Sequence, residues 1–168
     1  SFGCYATSNC IGYGEQPPGL GEHPIERATQ AIIDLGMIAV IAAGNSALDA
    51  CDAIPARVAD GLTVAASGPN DRPWHYSNFG PCVDLYAPGE DVLTATDIKE
   101  TAVVSGTSFA APHVAGTLAR IWSTLPGDPA SKITQQLMDL AFDERMVDIP
   151  PATPNTLLSL ATPPQGLV

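Results

Sequence analysis

Apolar runs of strand length follow one another along the chain and are separated by turn-forming residues. "MIAVIAAGN" (37–45) stays apolar until it ends in Gly-Asn, a pattern typical of a strand buried on both faces of a parallel sheet. Further short runs, each bounded by Gly, Pro or Asp, predict strands at 61–67, 83–89, 91–96 and 101–106.

Helical periodicity appears in three segments between and after these runs. In "HPIERATQAIIDLG" (23–36), Pro24 suits a first turn and Gly36 suits a C-cap. A helix rich in small residues is predicted from about 107 to 122. In "DPASKITQQLMDLAF" (128–142), we expect Asp128 as the N-cap and Pro129 at the first helical position.

The order of these elements predicts one α/β domain over residues 1–168 with a mainly parallel sheet. Residues 3–24 are rich in Gly, Pro and polar residues and predict a long surface loop. The Pro-rich tail 150–168 is expected to lie over the surface, with one or two helical turns in "PNTLLSL" (154–160).

Composition narrows the class of protein. Hydrophobic residues make up 45% of the 168-residue chain and charged residues 15%, which is typical of a globular protein. The net charge of −11 disfavours nucleic acid and anionic membranes as partners. The first residues resemble no signal peptide and include no initiator Met, so we expect processing or a start within a longer protein.

Four cysteines are present, without CxxC spacing and with few histidines nearby, which favours disulfides over zinc. Cys4 and Cys10 share a Gly-rich loop, and Cys51 and Cys82 both sit beside turns. We therefore favour the pairs Cys4–Cys10 and Cys51–Cys82 and an oxidising, extracellular location. Four buried free thiols are the alternative.

The segment "SGTSFAAPHVAG" (105–116) can present Ser108 as a nucleophile in the first turn of a helix. Backbone N–H groups there point outward with the positive end of the helix dipole, so the N–H of Ser108 suits an oxyanion. Pro112 removes the hydrogen bond that the Ser108 carbonyl would accept, which indicates a specialised helix start. The alternative is that Ser108 is an ordinary helix-start residue.

Asn45 follows the apolar run 37–44, at the carboxyl edge where α/β sheets place ligands. Its amide could be a second oxyanion donor, although an Asn after Gly is also a common turn residue. An α/β-hydrolase elbow is excluded because Ala110 stands where that motif has Gly. His113, five residues on, is rotated by about 140° from Ser108 and cannot reach its hydroxyl.

"SGTSFAAPHVAG" resembles the signature around the catalytic serine of the subtilisin-like serine proteases, with Phe109 in place of the usual Met. "IAAGN" is similar to the oxyanion segment of that family. "IPARVADGLTVAAS" (54–67) and "YSNFGPCVDLYAPG" (76–89) resemble the secreted proteinase-K group, in which a disulfide joins positions matching Cys51 and Cys82. Residues from Cys4 to about Pro24 are an insertion that is atypical of the family.

The resemblance implies a subtilisin-like three-layer fold, incomplete in this chain, with Ser108 as nucleophile and Asn45 as oxyanion donor. It implies a structural calcium held by the Asp84 carboxylate and main-chain oxygens near Ala59 and Gly61, although Asp84 could instead make only turn hydrogen bonds. It also implies substrate contacts from Ser1, Phe2, Gly3, Ala42, Ala43, Gly44, Gly106 and Thr107.

The catalytic Asp and His of the family have no counterpart in the sequence: His23 and His75 lie in unrelated contexts, and His113 is structural in the family pattern. We therefore expect the C-terminal portion of a catalytic domain, active only with an N-terminal fragment of the same protease that supplies both residues. Possible partners are a protein or peptide substrate and a propeptide removed in zymogen processing. A secreted pseudo-protease that binds partners, or a transpeptidase or ligase, is the alternative.

Overall fold

The computed structural model describes residues 5–6 (backbone only), 23–95 and 100–159. Its helices are α1 (Pro24–Asp34), α2 (Thr107–Thr124) and α3 (Ala130–Leu140). Its strands are β1 (Tyr5–Ala6), β2 (Ala39–Ala42), β3 (Leu62–Gly68), β4 (Arg72–Pro73), β5 (Leu85–Pro88), β6 (Val92–Ala95), β7 (Thr101–Val104), β8 (Phe142–Asp143) and β9 (Thr156–Leu157).

The main sheet is largely parallel, which confirms the predicted fold class. Within the described residues its order is β1-β2-β3-β5-β9-β8, with β4 paired to β3. The first five strands of this order run parallel, whereas β8 and β4 are antiparallel to their neighbours. Strands β6 and β7 form a separate antiparallel hairpin that leads directly into α2.

Alternate residues of the central strands face two different apolar layers. Val40, Val64 and Leu85 point to one face, where α2 and α3 cover them. Ile41, Ala65 and Tyr86 point to the other face, against α1 and the 50–58 segment. Because both faces are covered, β2 and β3 are buried at nearly every position, as their apolar runs predicted.

The helix ends agree with the sequence except at α3. His23 caps α1: its Nδ1 accepts a hydrogen bond from the N–H of Ile25. The prediction that Asp128 caps α3 is wrong, because Pro129 keeps an extended ψ of 155° and the helix starts one residue later. Asp128 instead forms a 3.0 Å ion pair with Lys132.

The prediction of a helix in residues 154–160 is also wrong. Thr156–Leu157 form β9, which pairs with β5 at Tyr86 and with β8. The N–H of Leu158 donates to the Tyr86 carbonyl at 2.8 Å, and the Leu158 side chain is buried. This part of the tail completes the sheet rather than lying over it; residues 160–168 fall outside the described residues.

The disulfide Cys51–Cys82 is present, as predicted, and joins the segments on either side of β3 and β4. Cys4 and Cys10 lie outside the described residues, so their pairing stays a prediction. In the part of the chain that the structure describes, no helix is both long enough and apolar enough to cross a bilayer.

Candidate active site

Ser108 is the second residue of α2, at the carboxyl edge of the main sheet. The N–H of Gly106, the N-cap, donates to the carbonyl of Gly89 at the end of β5, at 2.7 Å. A Cβ atom at Gly89 would lie 2.6 Å from the Ala66 side chain and 2.9 Å from the Gly106 carbonyl. Glycine at position 89 therefore lets the start of α2 press against the ends of β3 and β5.

Thr107 joins the start of α2 to the end of β2. Its backbone N–H and its hydroxyl both donate to Oδ1 of Asn45, at 2.9 and 2.8 Å. The hydroxyl oxygen also accepts from the N–H of Gly44 at 3.1 Å. Thr107 is fully buried, and its role as a substrate contact stays a prediction.

These two bonds also orient the Asn45 amide. Because Oδ1 accepts from Thr107, the Nδ2 group is left as the outward donor, and a Cβ built on Gly106 would lie 3.5 Å from it. The Asn45 amide therefore lies beside Gly106, two residues before Ser108. The two residues that the sequence singled out, 63 positions apart, are brought to one place by α2 packing on the sheet edge.

The other predicted substrate contacts differ in where the structure places them. Ala42 and Ala43 are both buried, and their methyl groups belong to opposite faces of the sheet. Their roles as substrate contacts therefore stay predictions. Gly44 has a φ of +109°, which favours glycine. Ser1, Phe2 and Gly3 lie outside the described residues.

The three histidines of the chain are all among the described residues, and their contacts place them on other features. His23 caps α1, and the ring of exposed His75 lies 3.9 Å from the ring of Tyr76. The Nδ1 atom of His113 lies 2.7 Å from the carbonyl oxygen of Phe109, one turn earlier in α2. None of these contacts makes a histidine the base for Ser108.

Asp84 lies at the opposite edge of the sheet. Its Oδ2 accepts from the N–H of Thr63 at 2.6 Å, and burial of the carboxyl raises its pKa, an effect that this hydrogen bond only partly offsets. Asp84 lines a cavity of about 520 Å³ together with Ala59 and Gly61, so the predicted metal ligands share one cavity. Within the described residues, no group of three or more His, Cys, Asp or Glu side chains is arranged to hold a metal.

Asn78 lies beside Asn45 at the carboxyl edge of the sheet, and no sequence pattern singled it out. It is 4% exposed and hydrogen-bonds the loop that carries Asn45. The one sequence signal is its place in "SNFG", an Asn next to turn-forming residues. That pattern does not reveal a partner more than thirty residues earlier.

Comparison with known proteins agrees with this arrangement. Residues 2–159 match the model of the subtilase family, peptidase S8. The chain is 37% identical over 150 residues to the subtilisin-like serine protease Pen c 2 of Penicillium citrinum, covering 83% of this chain and 33% of that protein. It is 35% identical over 155 residues to cerevisin of Saccharomyces cerevisiae, covering 83% of this chain and 24% of that one.

Among solved structures, a cold-adapted subtilisin-like serine proteinase superposes with a TM-score of 0.77 at 38% identity. That match covers 82% of this chain and 50% of the other. The chain thus spans about a quarter to a third of the length of the two curated relatives named above. The family match, the identities and the shared fold lead to one conclusion: this chain belongs to the subtilase family.

Proposed function

We propose that this chain carries the nucleophile and one oxyanion donor of a secreted serine endopeptidase. The observation that carries the proposal is the bonding of Asn45 Oδ1 to Thr107, which aims the amide donor toward the turn that holds Ser108. Family membership supports the same reaction class. Protein or peptide chains would then be the substrates.

In this mechanism a histidine outside the chain accepts the proton of the Ser108 hydroxyl, and Oγ attacks the peptide carbonyl. The N–H of Ser108 and Nδ2 of Asn45 stabilise the oxyanion as the tetrahedral intermediate forms. The intermediate collapses to an acyl-enzyme as the histidine protonates the leaving amine. Water, activated by the same histidine, then releases the acid and regenerates Ser108.

The catalytic His and Asp are proposed to come from an N-terminal part of the same protease, either in one polypeptide or as an associated fragment. None of the three histidines in this chain is placed as a base by its contacts, which supports that view. Propeptide removal and an extracellular location are further proposals, supported by the resemblance and by the Cys51–Cys82 disulfide.

A structural calcium at Asp84 is also proposed. The donor set fits the ion, because calcium takes carboxylate and main-chain oxygens and Asp84 shares a cavity with Ala59 and Gly61. A cation would also offset the burial that raises the pKa of this carboxyl. Asp84 lies at the edge of the sheet opposite Ser108, so its role would be stability rather than chemistry.

A fluorophosphonate probe tests the nucleophile directly. Covalent labelling of Ser108 is expected in the protein that contains this chain together with the catalytic Asp and His, and labelling should disappear in Ser108→Ala. Ser131→Ala is the matched control, because Ser131 is likewise the second residue of its helix, α3, and its loss should leave labelling unchanged.

Two results would count against the proposal. A fully folded protein that is not labelled would favour the alternative of a pseudo-protease that only binds partners. Labelling of the 168-residue chain by itself would show that the base does not lie outside it.

A further inference from the structure

Asn78 makes four hydrogen bonds to the loop after β2, residues 43–48, here called the oxyanion loop. Its side chain and its backbone both take part. The backbone N–H donates to Gly44 O at 2.9 Å, Nδ2 donates to Ala43 O at 2.9 Å, and Oδ1 accepts from the N–H groups of Ser46 at 3.0 Å and Leu48 at 3.1 Å. These partners flank Asn45 on both sides.

The contact between Asn78 and the oxyanion loop is close as well as polar. A Cβ atom at Gly44 would collide with Nδ2 of Asn78 and would lie 3.1 Å from its Cγ. The amide of Asn78 thus packs directly on the backbone next to Asn45. At 4% exposure, Asn78 itself is too buried to contact a substrate.

Only an amide matches what the oxyanion loop presents. Two backbone N–H groups require an acceptor, and the carbonyl of Ala43 requires a donor, in a site shielded from water. An aspartate would set an oxygen against that carbonyl, and an alanine would leave all three backbone groups without this partner.

We propose that Asn78 is a positioning residue for catalysis: it fixes the backbone on either side of Asn45 so that Nδ2 points at the developing oxyanion. The inference rests on the proposed peptidase function. Thr107 holds the side chain of Asn45 from α2, and Asn78 holds the backbone on either side of Asn45 from the β4–β5 connection. An oxyanion donor stabilises the transition state only when it is held in place beforehand, so loss of either anchor lowers turnover.

A double-mutant cycle tests this coupling. In the protein that also carries the catalytic Asp and His, Asn78→Ala should lower kcat by about tenfold or more while KM changes by less than about threefold. In an Asn45→Ala background the same change should lower kcat by less than about threefold, because no donor remains to be positioned. Asn78→Ser, which stays uncharged and keeps one acceptor for the loop N–H groups, gives the same test if Asn78→Ala does not fold.

Asn155→Ala is the matched control. Asn155 makes a similar pair of hydrogen bonds to a different loop, which lies beyond β5 in the sheet. Its Oδ1 accepts from Met146 N at 2.9 Å, and its Nδ2 donates to Met146 O at 3.0 Å. Its loss should reduce stability and leave kcat unchanged. If Asn155→Ala lowered kcat as much as Asn78→Ala does, the inference would be overturned.

The remaining outcomes separate the inference from the proposed function. If Asn78→Ala lowered kcat by the same factor in the wild-type and Asn45→Ala backgrounds, the inference alone would be overturned. An effect of Asn78→Ala on KM without a fall in kcat would overturn it as well. Failure of the probe to label folded wild-type protein would overturn the peptidase proposal, and the catalytic role of Asn78 with it. Amide exchange at Ser46 and Leu48, which should speed up in Asn78→Ala, reports the anchoring without any need for activity.

Discussion

The polar groups at the two ends of the parallel strands differ in charge and in hydrogen bonding. At the carboxyl end, neutral groups are hydrogen-bonded at 2.8 to 3.1 Å: Thr107 donates to Asn45, and the Asn78 amide bonds the backbone of the oxyanion loop. At the amino end, the Asp84 carboxyl is largely enclosed, has a raised pKa, and lines a cavity together with Ala59 and Gly61. Hydrogen bonds satisfy the polar groups of the first region, whereas the second region is where the proposed calcium would bind.

The difference matches the roles proposed for the two regions. A donor for a transient oxyanion has to be rigid before the reaction starts, and neutral amides give rigidity without the desolvation penalty of a buried charge. A metal site works the other way, since a desolvated carboxylate is unfavourable until the ion arrives. Changes at the carboxyl end should therefore affect turnover, and changes at the amino end should affect stability.

The largest effect is expected for Asn45→Asp. The new carboxylate keeps an acceptor for the two Thr107 bonds but has no Nδ2 donor, so kcat should fall by at least about a hundredfold. Because the bonds to Thr107 remain, the free energy of unfolding should change by less than about 1 kcal/mol. Steady-state kinetics and urea unfolding measure the two quantities.

Asn155→Asp provides the opposite case, because there the lost donor serves only a loop. It should lower stability and leave kcat unchanged. If Asn45→Asp instead lowered stability and spared kcat, the assignment of the carboxyl end to catalysis would fail.

The next largest effect is a rise in thermal stability when calcium binds. At a calcium concentration of about 100 times Kd, binding to the folded state alone adds about 2.7 kcal/mol, which should raise Tm by several degrees over a chelated sample. Asp84→Asn should abolish this rise without lowering kcat. Asp139→Asn, an exposed charge change on α3, is the control and should keep the full response. An unchanged calcium response in Asp84→Asn would place the ion elsewhere.

A smaller effect should appear in the pH dependence of the chelated protein. A carboxyl whose pKa is raised on folding holds its proton more tightly in the folded state, so its stabilisation is present below the ordinary value of 3.8 and is lost as pH rises through the folded pKa. The unfolding free energy of wild type minus that of Asp84→Asn should therefore fall as pH increases from about 4 to 7.

Taking this difference removes the contribution of Glu26, whose pKa is lowered by its hydrogen bond with Arg57 and which acts in the opposite direction. Urea unfolding at several pH values with chelator present gives the measurement. A difference that rises with pH would mean that the Asp84 carboxylate is stabilised, not strained, by its surroundings.

The smallest effect is expected at Tyr86, on β5 between the two ends. Burial raises the pKa of Tyr86 to about 12, and the nearby Thr153 hydroxyl lowers it in part. Among the described residues, however, the Tyr86 phenol oxygen has no hydrogen-bond partner. Tyr86→Phe should thus leave the unfolding free energy unchanged or raise it by up to about 1 kcal/mol. A loss of more than about 1 kcal/mol in chemical denaturation would reveal a buried partner, such as water.

The sequence predicted the elements that local pattern controls. Strands β2 and β3 are buried on both faces, so their apolar runs identify them without knowledge of the fold. Strand β9 was missed because Thr156–Leu157 form a strand only through pairing with Tyr86 and with β8, and such distant pairing leaves no local signal. The start of α3 differed by one residue because the extended backbone of Pro129 excludes Asp128 from capping.

The candidate site was predictable in its residues but not in its connections. Ser108 stands out by its place in the first turn of a helix, Asn45 by its place after a buried strand, and both by family resemblance. The Thr107 hydroxyl and the Asn78 amide acquire their roles only when α2 and the β4–β5 connection are packed against the end of β2. Their partners are fixed by tertiary contact, and no spacing along the chain reports them.

The Cys51–Cys82 bond has a consequence for a protein that is exposed to proteolysis. The bond closes a covalent ring that contains β3, β4, the exposed turn at Asn70 and Asp71, and Asn78. A single cut in that turn, a typical site of nicking, would add one water to the mass and release no fragment until the disulfide was reduced. The strand that carries the oxyanion loop and the residue that anchors the loop would stay linked through the bridge after such a cut.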